Sequence, residues 1–104
     1  MNMQTLLMGL KSILAAKFGS RFKSIMLYGS EANGHAEKDS DIDIFILLEG
    51  PVFIGADLES AITATYSLQM QIDRPLHFSI CDFREYEAGK FSLYRTIKKE
   101  GLAA

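Results

Sequence analysis

Two aspartates one residue apart, Asp41 and Asp43, stand where a β-branched and aromatic run begins, Ile42-Asp43-Ile44-Phe45-Ile46-Leu47-Leu48. Such a run favours a strand. On a strand, residues i and i+2 share a face, so the two carboxylates would root about 7 Å apart. That is close enough for both to converge on divalent ions, and Mg²⁺ favours hard carboxylate oxygens of this kind. Ahead of them, Gly29-Ser30 closes an earlier apolar run, and ten residues separate Ser30 from Asp41, giving the pattern G-S-x10-D-x-D. Each half has an ordinary structural reading. Aspartates at strand entrances cap loops, and Gly-Ser forms turns. The joint spacing is what carries information.

Strand, Gly29-Ser30, ten residues, Asp41-x-Asp43, strand resembles the signature of the nucleotidyltransferase superfamily that includes DNA polymerase beta. It is most similar to the smallest members, the minimal nucleotidyltransferases (MNT proteins), often encoded beside a HEPN-domain partner. Gly34 and Ser40 support the match. The resemblance implies transfer of AMP from ATP to a hydroxyl group with Mg²⁺, Asp41 and Asp43 being metal ligands and catalytic. Gly29 would let backbone approach a phosphate with no Cβ in the way. Ser30 would add a hydroxyl donor, beside free amides of the following turn. The same resemblance implies a protein acceptor, such as a tyrosine on a HEPN toxin, with this chain as antitoxin in a hetero-oligomer.

Active superfamily members usually carry a third carboxylate on a later strand. Aligning Pro75-Leu76-His77-Phe78-Ser79 with that strand puts His77 at the position. An imidazole can accept a proton or ligate a metal, but lacks the charge that holds Mg²⁺ well. His77 is therefore a catalytic candidate. It also favours a rival expectation, a catalytically silent nucleotide-binding or antitoxin module that neutralises its partner by direct binding. His35 reads as a surface-loop histidine.

The elements that must position these residues fit one domain spanning 1–104, with room for one modest core. Hydrophobic residues make up 48%, as in globular proteins. Eleven basic against 13 acidic side chains, a formal charge of -2, argue against a broad cationic surface for duplex nucleic acid. Cys81 is the single cysteine, which excludes an internal disulfide, and its apolar setting predicts a buried thiol. The N-terminal apolar stretch is interrupted by Lys11 and preceded by no basic residue, so a signal peptide is disfavoured. No stretch approaches a membrane span, and the expected location is cytoplasmic.

Apolar residues Leu6, Leu10, Ile13, Leu14 and Phe18 recur at helical spacing, with Gly19-Ser20 as the stop. Ser24–Tyr28 reads as a buried strand, and Ser30–Gly34 as a short helical turn with Ser30 as N-cap and Gly34 as its end. After the carboxylate strand and Glu49-Gly50-Pro51, a helix is expected from about 54 to 71, with Leu58, Ala61, Ile62, Thr65 and Leu68 on its apolar face. Asp73-Arg74-Pro75 is a turn signal, and Leu76–Cys81 alternates as a half-buried strand should. A short helix from Asp82 and a last one ending at Gly101 complete the chain. The order α-β-α-β-α-β-α predicts an α/β (α+β) fold, a small sheet of about three strands covered by helices. The resemblance implies that the sheet is mixed, in the polymerase-beta nucleotidyltransferase fold.

Overall fold

The computed structural model describes residues 1–29, 32, 34 and 40–104. The chain runs α1 (Met3–Phe18), a 3₁₀ turn (Gly19–Arg21), β1 (Phe22–Tyr28), β2 (Ile42–Leu48), α2 (Ile54–Gln69), β3 (Leu76–Asp82), α3 (Phe83–Glu87), α4 (Ser92–Glu100) and β4 (Leu102–Ala103). The sheet order is β3-β2-β1-β4, with β1 antiparallel to β2 and β4, and β2 parallel to β3. It is the expected mixed sheet covered by helices, with four strands among the described residues rather than three. The addition, β4, is two residues long and carries no alternation for a sequence reading to detect. The helical turn expected at Ser30–Gly34 lies largely outside the described residues; within it, the Ala32 N–H donates to the Gly29 carbonyl at 3.1 Å.

Alternation along the strands divides the core into two layers. On one side of the sheet, Ile25 and Leu27 of β1, Ile42, Ile44, Ile46 and Leu48 of β2, and Phe78 and Ile80 of β3 pack against Leu6, Leu10 and Leu14 of α1 and Ala61 and Leu68 of α2. On the other, Met26, Phe45, Leu47 and Cys81 pack with Tyr86 of α3 and Ile97 of α4. The Cys81 thiol is buried, as its setting predicted.

Helix ends follow local chemistry. Asn2 caps α1, its Oδ1 accepting from the Thr5 N–H at 2.8 Å, and Gly19 ends that helix at φ 60°. Asp82 caps α3 through the Glu85 N–H at 3.0 Å. Helix α2 ends at Gln69, two residues before the expected boundary, and Ile62 departs from expectation. It stands half exposed while Asp57, Ala61, Thr65 and Leu68 face inward. One residue along a helix turns about 100°, so a stripe centred on Ala61 and Thr65 leaves Ile62 at its outer edge.

The loop end of α2 is held by a polar latch. Arg21 donates to both Asp57 oxygens, at 3.1 and 2.8 Å, and to the Pro51 carbonyl at 3.0 Å; Asp57 also accepts the Phe53 N–H at 3.0 Å. At the opposite end of α2, the Gln69 side chain bridges backbone on both sides of Pro75. It donates to the Arg74 carbonyl at 3.0 Å and accepts from the Leu76 N–H at 2.7 Å. This fixes where β3 begins.

Candidate active site

Asp43 occupies the middle of a three-strand corner. The antiparallel register places Tyr28 opposite it, and the parallel register places His77 opposite it on the other side. Burial of Ile42 and Ile44 on the α1/α2 side locks the phase of β2. A slip by one residue would exchange that apolar set for the carboxylates. Asp43 therefore projects from the opposite side, beyond Phe45 and Leu47 on the same face.

Both Asp43 oxygens are accounted for. Oδ1 lies 3.0 Å from His77 Nδ1, and Oδ2 lies against the bare Cα of Gly29. A Cβ at position 29 would stand 2.5 Å from Oδ2, nearer than van der Waals contact permits. Gly29 has φ 76°, so a side chain there is disfavoured twice, by conformation and by the carboxylate. The glycine expected to admit a phosphate thus also makes room for the Asp43 carboxylate, a contact the sequence pattern does not reveal.

The side chains of His77 and Asp43 are 64% and 32% exposed, so the pair is open to solvent and substrate. With Nδ1 turned to the carboxylate, a neutral ring donates its Nδ1 proton to Oδ1 and leaves the Nε2 lone pair free. Asp41 is exposed just ahead of β2. Its backbone is positioned by Arg74, whose Nε donates to the Ser40 carbonyl at 2.7 Å and whose guanidinium reaches the Ser40 hydroxyl at 3.2 Å and the Asp41 carbonyl at 3.5 Å. The Ile42 N–H donates to the Pro75 carbonyl at 2.9 Å, closing the same joint. As sequence, Asp73-Arg74-Pro75 is only a turn. Arg74 is the residue that reading misses, and nothing in the local pattern marks which backbone an arginine will hold.

Structure thus brings Gly29, Asp43 and His77 together and sets Asp41 beside them at the mouth of β2. Ser30 and His35 lie outside the described residues. On the other flank of Gly29, a cavity of about 310 Å³ is lined by Tyr28, Gly29, Ala32 and Glu100 from the end of α4. Among the described residues, no group of three or more His, Cys, Asp or Glu side chains is gathered to hold a metal ion. Two carboxylates at one strand entrance still fit Mg²⁺, which commonly takes one or two protein carboxylates and completes its shell with water and substrate phosphates. Among the described residues, no helix is long and apolar enough to cross a membrane.

The polymerase beta nucleotidyltransferase family model matches residues 9–103. The chain belongs to that family, in agreement with the resemblance carried by Gly29, Asp41 and Asp43. Among solved structures it is similar to a chain of a toxin–antitoxin crystal structure with AMP-PNP. The two share 21% identity at a TM-score of 0.59, over 91% of this chain and 69% of that one. That likeness supports the fold. No curated protein matches the chain.

Proposed function

We propose that the chain transfers AMP from ATP to a hydroxyl of a protein side chain, and that the acceptor belongs to a HEPN-type toxin which it neutralises as an antitoxin. The observation that carries the reading is the convergence of Gly29, Asp43 and His77 at one corner of the sheet, in a family of nucleotidyltransferases. The partner follows from the MNT resemblance and from the toxin–antitoxin character of a structural relative, itself solved with AMP-PNP.

In this reading Asp41 and Asp43 hold Mg²⁺, which neutralises phosphate charge when bound with ATP. Gly29 and Ser30 receive the triphosphate through backbone amides and a hydroxyl. The acceptor oxygen bonds to the α-phosphorus, the bond to the β-phosphate bridging oxygen breaks, and pyrophosphate leaves. His77 Nε2 takes the hydroxyl proton, while Asp43 holds the ring by its Nδ1–H and stabilises the imidazolium that forms. The histidine would thus perform, as a neutral base, the proton-accepting part of the absent third carboxylate.

One observation favours a second reading. Asp43 Oδ1 is already engaged by His77, which competes with metal ligation. A module that binds nucleotide weakly and neutralises its partner by contact alone would tolerate that engagement. Intact mass of the HEPN partner after incubation with the chain, Mg²⁺ and ATP separates the two. Addition of one or more AMP groups, lost in Asp41→Asn/Asp43→Asn, supports transfer; neutralisation at unchanged mass supports the binding module.

A further inference from the structure

The cavity beside Gly29 lies on the flank of the site away from His77. Across the corner the order is His77, Asp43, Tyr28, because β3, β2 and β1 are neighbours in that order and their registers set these residues abreast. Neighbouring strands stand about 4.8 Å apart, so the wall formed by Tyr28 begins one strand from Asp43. Residues abreast in a ladder share a face, which puts Tyr28 on the α3/α4 side with Asp43 and His77. There it makes an edge-on contact with Phe45, ring centroids 5.6 Å apart. Glu100, the last residue of α4, bounds the same cavity. Its volume of about 310 Å³ matches the smallest small-molecule pockets, which start at about 300 Å³.

Glu100 is an open acceptor at that wall. Its neighbour Lys98 turns to Glu87, donating to the carbonyl at 3.0 Å and to Oε2 at 3.2 Å. Glu49, Glu85 and Glu87 all have cationic partners. Glu100 has no hydrogen-bond or ion-pair partner among the described residues. The C-terminus of a helix adds partial negative charge at the same place. Among the described residues that line the cavity there is no cation. The cavity therefore repels a phosphate chain and favours an uncharged group that donates hydrogen bonds.

We propose that this cavity receives the nucleoside of bound ATP, and that Glu100 accepts hydrogen bonds from the ribose hydroxyls and so selects ribonucleotides over deoxyribonucleotides. Given nucleotidyl transfer at this corner, the reading on which the proposal rests, Asp41, Asp43 and Gly29 engage the triphosphate. The acceptor hydroxyl enters beside His77, which takes its proton. The nucleoside is the part of the substrate left for the opposite flank, where the cavity lies. Ribose hydroxyls are the donors nearest the α-phosphate, and an acidic side chain is what dinucleotide sites set against a ribose 2′-OH. Tyr28 adds an aromatic wall, which packs against any base without choosing among them. Gly29 and Ala32 add little bulk to the lining and leave the room to the sugar.

Calorimetry of the full chain with Mg²⁺ and ATP, 2′-deoxy-ATP or 3′-deoxy-ATP tests the proposal. At least one deoxynucleotide should bind about ten-fold or more weakly than ATP, because the carboxylate loses its donor. Glu100→Ala should bring ATP down to the affinity of that analogue and erase the difference, with melting temperature unchanged at this exposed position. Tripolyphosphate with Mg²⁺, which has no sugar, should bind Glu100→Ala no more weakly than the wild type. Equal binding of the three nucleotides would overturn the proposal and leave the transferase reading standing. So would a sugar preference that survives Glu100→Ala, or a preference for ATP over GTP and CTP with none between sugars. Absence of Mg²⁺-dependent binding for every nucleotide would overturn both.

Discussion

At the scale of single residues, the site is a set of mutual constraints centred on Asp43. Gly29 cannot carry a side chain while Asp43 keeps its place, because a Cβ would sit 2.5 Å from Oδ2 at a backbone φ of 76°. Gly29→Ala should therefore lower stability by about 1–3 kcal/mol and displace Asp43, reducing both nucleotide affinity and any transfer; melting temperature and ATP calorimetry check the two effects together. Asp41→Asn/Asp43→Asn should behave differently. Neutralising two nearby carboxylates removes repulsion in the metal-free protein, so the double variant should melt at the same temperature or slightly higher while losing Mg²⁺-dependent ATP binding. A large fall in melting temperature would show that the pair is structural. For His77, the exposed ring makes the stability cost of substitution small. His77→Ala should cut transfer by about 10²-fold or more with little change in melting, and His77→Asp should recover part of the rate by returning a carboxylate. Unchanged transfer in His77→Ala would remove the ring from the mechanism.

At the scale of elements, the latch between Arg21 and Asp57 joins the start of β1, the turn after β2 and the first turn of α2. The Arg21 guanidinium, by its hydrogen bonds above all, holds the Asp57 carboxyl below the ordinary carboxylate range against the opposing effect of burial. A depressed folded value means the stabilisation is complete above the ordinary pKa near 4 and is lost as pH falls through the folded value. Acid melting of the wild type should steepen below about pH 4, and Asp57→Asn should flatten that limb. The same variant should cost about 1–3 kcal/mol at neutral pH, leaving Arg21 with carbonyl partners only. None of this was legible in the sequence, where Arg21 and Asp57 are 36 residues apart in unremarkable surroundings. The elements themselves were legible because their periodicity is strong. Leu6, Leu10 and Leu14 report α1, and the alternation of Ile42, Ile44 and Ile46 around Asp43 reports both β2 and its phase. Position 77 was matched to the third-carboxylate position by the family resemblance and not by periodicity, and its Nδ1 contact depends on parallel pairing that a strand pattern cannot specify. Ile62 was misplaced because helical periodicity locates a buried face only to within about one residue, and a residue at its edge can turn either way.

At the scale of the whole molecule, the second core layer joins the site strands to the C-terminal helices through groups that resist ionisation. Cys81 lies beneath α3 and α4, and burial pushes its thiol up to about 11, partly opposed by its hydrogen bond with Tyr94. Burial, followed by the proximity of Cys81, pushes the Tyr94 phenol up to about 12. Both acids thus hold their protons more tightly folded than unfolded, so the sign is the reverse of that for Asp57. The stability they contribute is full below their ordinary values of about 8.5 and 10 and is lost as pH rises toward the folded ones. Because the two groups touch, their contributions do not add. Melting temperature should fall by roughly 5–15 °C between pH 8.5 and 11, the shift expected for about 1–2 kcal/mol in a domain of this size. Lysines and other tyrosines also titrate there, so the diagnostic is the slope in variants. Cys81→Ala and Tyr94→Phe should each lower the neutral-pH melting temperature modestly through lost packing, yet flatten its alkaline decline. The native thiol should also resist alkylation at pH 8 and react only on unfolding, because both burial and the scarcity of thiolate protect it. Rapid alkylation of the folded chain, or a decline in Cys81→Ala as steep as in the wild type, would show that this layer opens to solvent and that the helices beneath the site are not held by a closed core.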